Sequence, residues 1–510
     1  MPKSTSIWLE TARPDEQPAL AADCSVDVCV IGAGIAGVTT AYLLAREGRS
    51  VVLLDDGTPG CGQTGVTTAH LSNVLDDRYT EMIRLHGVDG ARLACDSHRS
   101  AIARIERICA DEQIDADFLR LSGYLFLAPE HDEDYLDKEM DAARQAGADV
   151  ERLASASVDG FASGPCLHFP HQGQFHPLKY LNGLLGALTR TGGRVYGGTR
   201  AVKVTGGTDA EVETATGLHI RARAVVVATN VPFNDLLAIH TKQAPYHSYV
   251  IAARVPAGAI TTALYWDTAD PYHYVRLQRA TNAEIGGDNT ERLDLLIVGG
   301  EDHKAGHESD ADARFGLLEA WMRAHFPAAR EVEFRWSGQV METQDGLAFI
   351  GRNPMDADNV YVATGDSGMG MTHGTIAGML LTDLIQARPN PWSGLYDPSR
   401  IRIGAARNFL KENLDVAAQF TSYVTPGDVS SADEIAPNTG AVIREGLKKV
   451  AVFRDEAGAL HRHSAVCPHL GCIVAWNPSA STWDCPCHGS TFDARGKVLN
   501  GPASKDLEQA

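Results

Sequence analysis

Hydrophobic and polar positions divide the chain into stretches of different period. Val26–Ile31 is almost continuously apolar, as a strand buried on both faces requires, and a glycine cluster then leads into a helical stretch ending near Arg46. Gly48 stops that helix, and a second apolar run, Val51–Leu54, ends at Asp55. Residues 81–158 read as mostly helical, with Ile102, Ile105 and Ile108 on one face, and Leu121–Leu127 reads as a strand. Arg223–Val227 predicts a buried strand, and 241–300 alternates with period two. Leu295–Val298 and Tyr361–Ala363 predict further strands, the latter leading to a helix that begins near Thr372. Trp392–Pro398 has loop residues, 401–424 predicts one or two amphipathic helices, and turn-rich 425–437 opens a last unit.

Length and composition set the scale. At 510 residues and 44% hydrophobic, the chain has room for three or four domains and does not read as disordered. A net charge of −20 argues against nucleic acid and against an anionic membrane surface. No apolar run approaches a membrane span, and Met1–Asp23 is polar without a signal-peptide core. Of the ten cysteines, six are scattered before residue 170, which fits a reducing cytoplasm.

The first glycine cluster is Gly32-Ala33-Gly34-Ile35-Ala36-Gly37. Between strand and helix, with Asp55 closing the next strand, it is a dinucleotide fingerprint in its required context. Glycines allow a tight turn and close pyrophosphate approach, the helix N-terminus faces the phosphates, and the acid receives ribose hydroxyls. The candidates are Gly32, Gly34, Ala36, Gly37 and Asp55. The fingerprint alone does not separate FAD from NAD, but no second one follows; Gly299-Gly300 lacks the spacing.

The second chemical signal lies near the C-terminus. Cys467-x-His469 and Cys485-x-x-His488 are separated by fifteen residues. Two thiolates on one iron and two imidazoles on the other make the Rieske form of a [2Fe–2S] cluster, with potentials of roughly −150 to +300 mV. Zinc also takes two Cys and two His, but usually as one Cys pair and one His pair, whereas each loop here gives one of each.

Residues 425–510 resemble the Rieske family, including Asn500-Gly501-Pro502-Ala503, which is similar to that family's proline loop. The resemblance implies a disulfide between Cys472 and Cys487, as in Rieske proteins of respiratory and photosynthetic complexes, and a Ser490 hydrogen bond to the cluster. It places Phe492 where those proteins carry tyrosine, which implies a potential below theirs.

Three segments favour FAD. Ala228-Thr229-Asn230 resembles the alanine-threonine-glycine element of flavoproteins, with Asn230 in place of glycine. Gly365-Asp366-Ser367-Gly368-Met369-Gly370, with Thr372, is similar to the C-terminal flavin segment of the glycine oxidase and D-amino-acid oxidase family. Gly193–Val202 resembles the strand pair that sets a backbone group near Val202 against adenine. Residues 20–390 resemble that family, which places Thr64, Thr67 and Thr68 at the flavin phosphate and ring edge. His70 lies near where some relatives attach FAD covalently, although an ordinary packed histidine fits the surrounding residues better.

The resemblance implies an α/β FAD-binding domain of glutathione-reductase-like type (1–80, 160–240 and 335–390) and an α+β substrate domain (81–159 and 241–334). A helical connector (391–424) and an all-β Rieske domain (425–510) complete the expected order. In the aromatic-rich alternating segment, Tyr249, Tyr274 and Arg276 are the candidate substrate contacts, with Arg276 as a carboxylate clamp. The expected activity is oxidation of a small amine or amino-acid-like molecule by hydride transfer to FAD. Electrons then pass singly to the cluster and on to an external acceptor, and the oligomeric state stays open. Three competitors remain: an NAD(P)H-dependent reductase, a non-catalytic redox sensor, and an oxygenase using His171 and His176 as iron ligands.

Overall fold

The computed structural model describes residues 2–156, 158–234, 239–279, 291–305, 310–354, 356–402, 423 and 425–510. The expected connector helices at 401–424 fall almost wholly outside these residues.

Val26–Ile31 sits within the strand Cys24–Ile31, at the centre of an eight-stranded sheet. Parallel neighbours His219–Val227 and Val51–Leu54 flank it, and Val360–Thr364 and Arg194–Tyr196 extend the sheet outward. These strands are apolar because helices Ile35–Arg46 and Gly370–Ile385 cover the sheet. The two helices meet where Gly374 faces Ile35 and Gly378 faces Thr39, so side chains larger than hydrogen would hold them apart. The helix expected near Thr372 begins two residues earlier, at Gly370.

The alternating segment forms a second sheet of nine strands. Its long strands are Gln243–Pro256, Leu293–Lys304 and Val332–Thr343, with Tyr274–Arg279 and Leu264–Asp267 beside them. Leu119–Phe126, Cys166–Gln174 and His70–Leu71 continue it, so Cys166–Gln174 pairs here and not in the first sheet. Helices Arg78–Asp111 and Glu133–Gln145 account for the helical reading of 81–158.

The last unit is all β. Thr439–Glu445, Lys448–Arg454 and Leu460–Ser464 make one antiparallel sheet. Ala475–Asn477, Thr482–Asp484, Thr491–Asp493 and Val498–Asn500 make another. Its core gathers Trp483, Phe492, Val474 and four cysteines. Among the described residues, no helix is long and apolar enough to cross a membrane.

This unit is fastened to the rest of the chain. His247 Nε2 meets Asp484 Oδ2 at 3.0 Å, both nearly buried, and Ser337 and Ser479 share a hydrogen bond of 2.9 Å. Arg200 donates to the Val498 carbonyl at 2.6 Å.

Candidate functional site

A cavity of about 1380 Å³ opens between the two sheets and reaches the C-terminal unit. That exceeds the roughly 300–1,000 Å³ of ordinary ligand pockets and suits an extended cofactor with a small molecule beside it. Gly32, Gly34, Ala36 and Asp55 line one end. Gly32 has φ +99, and the Thr64 hydroxyl accepts from the Ile35 N–H at 3.0 Å, closing the first turn of the helix. Gly37 does not line the cavity. A Cβ there would land on the Gly32 carbonyl, so its task is close helix–turn packing.

Other expected cofactor residues divide between the cavity and its supports. Thr64, Thr67, Thr68, His70, Ala228, Thr229, Gly365, Gly368, Met369 and Gly370 line it. Asn230 also lines it with φ +64, a left-handed conformation that asparagine tolerates, which explains how it stands where glycine is usual. Two further expected residues, Val202 and Thr372, do not line it, although Arg200 and Ala201 of the Val202 segment do. Thr372 lies behind the wall, where its hydroxyl meets His98 Nδ1 at 2.8 Å. His70 uses both ring nitrogens, at 3.1 Å from Thr68 Oγ1 and 3.3 Å from the Val275 carbonyl, and burial lowers its pKa to about 3. It is a neutral, hydrogen-bonded histidine.

The proposed substrate contacts separate. Tyr274 lines the cavity and hydrogen-bonds Ser248. Tyr249 packs away from it, stacked on His303 and edge-on to Phe315. Arg276 is no carboxylate clamp: it is fully buried and donates to the carbonyls of Thr68, Ala69 and Phe175 at 3.2, 2.9 and 3.0 Å. Alternation gave its face correctly, but the Thr68 and Ala69 carbonyls already take the guanidinium. His171 is exposed, whereas His176 is buried and caps the helix Pro177–Arg190, so the two form no metal pair.

Sequence reading missed the acidic wall. Asp76, Asp77, Asp302, Glu342 and Asp366 all line the cavity, drawn from four distant segments. Burial raises Asp76 and Asp366 to about 6 and Asp77 and Asp302 to about 7, and holds Glu342 well above the usual range. Arg78 also lines the cavity, but its guanidinium serves the Leu75 and Asp267 carbonyls and lies over the Tyr272 ring.

The two Cys/His loops are built alike. Cys467 N–H donates to the Cys472 carbonyl at 2.8 Å, and Gly471 N–H returns to the Cys467 carbonyl at 3.0 Å. Cys485 N–H donates to the Ser490 carbonyl at 2.8 Å, and Gly489 N–H returns to the Cys485 carbonyl at 3.0 Å. Gly471 and Gly489, at φ +84 and +79, make both turns possible. Cys472 and Cys487 form the disulfide joining the loops.

With two sulfurs bridged, Cys467 and Cys485 remain as buried thiols. Both ring nitrogens of His469 and Nδ1 of His488 are shut from solvent without a hydrogen-bond partner. Buried imidazole nitrogens left bare are costly unless a metal takes them, so the donor set fits a two-Cys, two-His cluster. Cys485, the His469 N–H, the Ser490 hydroxyl and the Leu470 N–H lower the Cys467 pKa against the upward push of burial.

Residues 27–384 match the family model of FAD dependent oxidoreductases, and residues 425–510 match that of the Rieske [2Fe-2S] domain. The chain belongs to the FAD-dependent oxidoreductase family and carries a C-terminal Rieske domain. It is 32% identical over 506 residues to the Rieske 2Fe-2S iron-sulfur protein YhfW of Bacillus subtilis (strain 168), covering 99% of this chain and 97% of that one. It is 27% identical over 379 residues to gamma-glutamylputrescine oxidoreductase of Escherichia coli (strain K12), covering 71% and 83%. Glycine oxidase from Geobacillus kaustophilus superposes with a TM-score of 0.60 at 18% identity, over 74% of this chain and 99% of that one. FAD and a [2Fe–2S] cluster are therefore the cofactors of this oxidoreductase.

Ser490 Oγ accepts from the Ala503 N–H at 3.0 Å, which frees its proton for Cys467. A hydrogen bond to a charged group contributes about 1.5–3 kcal/mol, and about 1.4 kcal/mol equals 59 mV for one electron. Ser490→Ala is expected to lower the midpoint potential by about 60–130 mV in a redox titration followed by electron paramagnetic resonance.

Proposed function

We propose that the chain oxidises a small amine or amino-acid-like molecule at the cavity, taking two electrons into FAD and passing them singly through the Rieske cluster to an external acceptor. When bound, FAD supplies an acceptor that takes two electrons and can release them one at a time, and the cluster carries one. The observation that carries the reading is Gln339. This side chain lines the cavity and donates to the Gly489 carbonyl, inside a cluster loop, at 3.0 Å. Its Oε1 accepts from Asn230 at 3.3 Å and Asn500 at 3.2 Å, and its backbone N–H is held by Gln63. One residue thus ties the cavity wall, the proline loop and the cluster loop together.

The acidic wall supports an amine as substrate, and one with a cationic group besides the nitrogen that reacts. The reacting nitrogen must lose its proton to be oxidised, whereas a second ammonium is favoured by the carboxylates. Kinship with a gamma-glutamylputrescine oxidoreductase supports the same class. Binding pairs the charges, while Tyr274 and Ser248 keep a hydroxyl pair at the wall for orientation.

The pH dependence follows. Carboxylates raised to about 6 and about 7 are neutral below those values and charged above them. Ki for a quaternary ammonium competitor, whose own charge does not titrate, is expected to fall about tenfold as pH rises from about 5.5 to about 8, since each tenfold is about 1.4 kcal/mol of ion pairing. A Ki that is flat or rises over that range contradicts an acidic binding wall. Substrate class is tested by anaerobic flavin bleaching across a panel of amines, diamines and amino acids. Bleaching by diamines or amines supports the reading; bleaching by NADH and by no amine overturns it.

A further inference from the structure

His240 belongs to neither cluster loop, yet its ring lies 4.9 Å from that of His469 and 5.5 Å from that of His488, edge-on to both. The two cluster histidines themselves are 5.1 Å apart and perpendicular. Three imidazoles therefore form one packed group, with His240 only 3% and His488 only 7% exposed. His240 opens the short turn His240–Lys242 that enters the long strand Gln243–Pro256 of the second sheet. That strand is anchored to the cavity wall, because Thr364 Oγ1 donates to Gln243 Oε1 at 3.2 Å. On the other side, Gly489 stands next to His488, and a Cβ there would meet Gln339 Nε2 at 3.1 Å and Pro245 Cβ at 3.2 Å. The strand beginning beside His240 thus packs on the loop carrying His488.

We infer that His240 is a fixed internal cap on the imidazole edge of the Rieske site, closing that edge to outside molecules and turning it toward the flavin-bearing part of the same chain. His240 is a positioning residue: its ring holds the two ligand imidazoles by packing. An external acceptor must then use another face of the Rieske domain. The inference rests on Cys467, His469, Cys485 and His488 holding the cluster, but not on the identity of the substrate.

Accessibility of the ligand rings is measured on the oxidised holoprotein with diethyl pyrocarbonate, which acylates reachable imidazole nitrogens, followed by peptide mass spectrometry. His219, with a side chain 39% exposed, is the internal reference. The cap predicts that His469 and His488 of the native protein react at least about tenfold more slowly than His219, as protected groups do. His240→Ala is expected to raise their labelling at least about tenfold, while His240→Phe, which keeps an aromatic ring in place, leaves them protected. Native labelling of His469 and His488 at the rate of His219 overturns the inference, as does His240→Ala labelling equal to the native protein's. The native comparison decides the matter even if the alanine variant does not fold. Absence of the reduced cluster's paramagnetic signal would instead remove the cluster assignment itself, so the two failures are distinguishable.

Discussion

A Gly37→Ala variant is expected to purify without flavin while keeping its iron–sulfur signal. The added Cβ would land on the Gly32 carbonyl oxygen, 3.0 Å from its carbon and 3.4 Å from Val30 Cγ1. Nothing there is the flexible end of a side chain; the obstacle is backbone in the turn that must receive the pyrophosphate. Relief requires the helix Ile35–Arg46 to move outward, where Gly374 and Gly378 pack it tightly on the helix Gly370–Ile385. Overpacking costs about 1–3 kcal/mol or more, and if it falls on the bound state FAD affinity drops up to about a hundredfold. The Rieske domain has its own core of cysteines, Trp483 and Phe492, so its cluster should survive. Flavin absorbance and iron content, measured on the same preparation, check both halves.

Arg276→Met is the second large effect, and it separates two roles for one residue. A carboxylate clamp facing substrate would raise KM on removal and leave the folded protein unchanged. A guanidinium buried among the Thr68, Ala69 and Phe175 carbonyls, beside Gln278 Oε1 and over the Trp8 ring, does something else. Its loss strands several buried acceptors, each costing about 1–3 kcal/mol, so a total near 3–4 kcal/mol is expected after partial rescue by water. Thr68 lines the cavity, so the damage also reaches the cofactor. Expected are a lower Tm and lower flavin occupancy; Tm and flavin content equal to the parent, with only KM raised, would restore the clamp. Arg276→Lys is expected to rescue poorly, because an ammonium lacks the planar fork that serves four acceptors.

Much of this molecule was legible because its chemistry is local in sequence. The glycine turn with Asp55, and the two loops carrying Cys467, His469, Cys485 and His488, each depend on spacings of a few residues that backbone geometry dictates. The Cys472–Cys487 bridge followed from the resemblance those loops carry. What escaped depends on contacts between distant segments. Asp76, Asp302, Glu342 and Asp366 share no periodicity, and only the meeting of two sheets brings them to one cavity. Gln339 and His240 carried no signal at all, since each matters through a loop 150 or more residues away. Arg276 shows the limit of alternation: period two fixes which face a side chain takes, not what already covers that face. Thr372 missed the wall narrowly, because neighbouring side chains on a helix point to different surroundings.

The proposed function joins a site for two-electron chemistry to a one-electron iron centre within this single chain. The direct measurement is to mix anaerobic, oxidised holoprotein with an amine that bleaches its flavin, freeze samples over time, and record electron paramagnetic resonance. The reduced cluster's paramagnetic signal is expected to grow in after the flavin bleaches, without added mediator and at a rate independent of protein concentration. Flavin that bleaches fully while the cluster stays oxidised, or a cluster rate that scales with protein concentration, would contradict it.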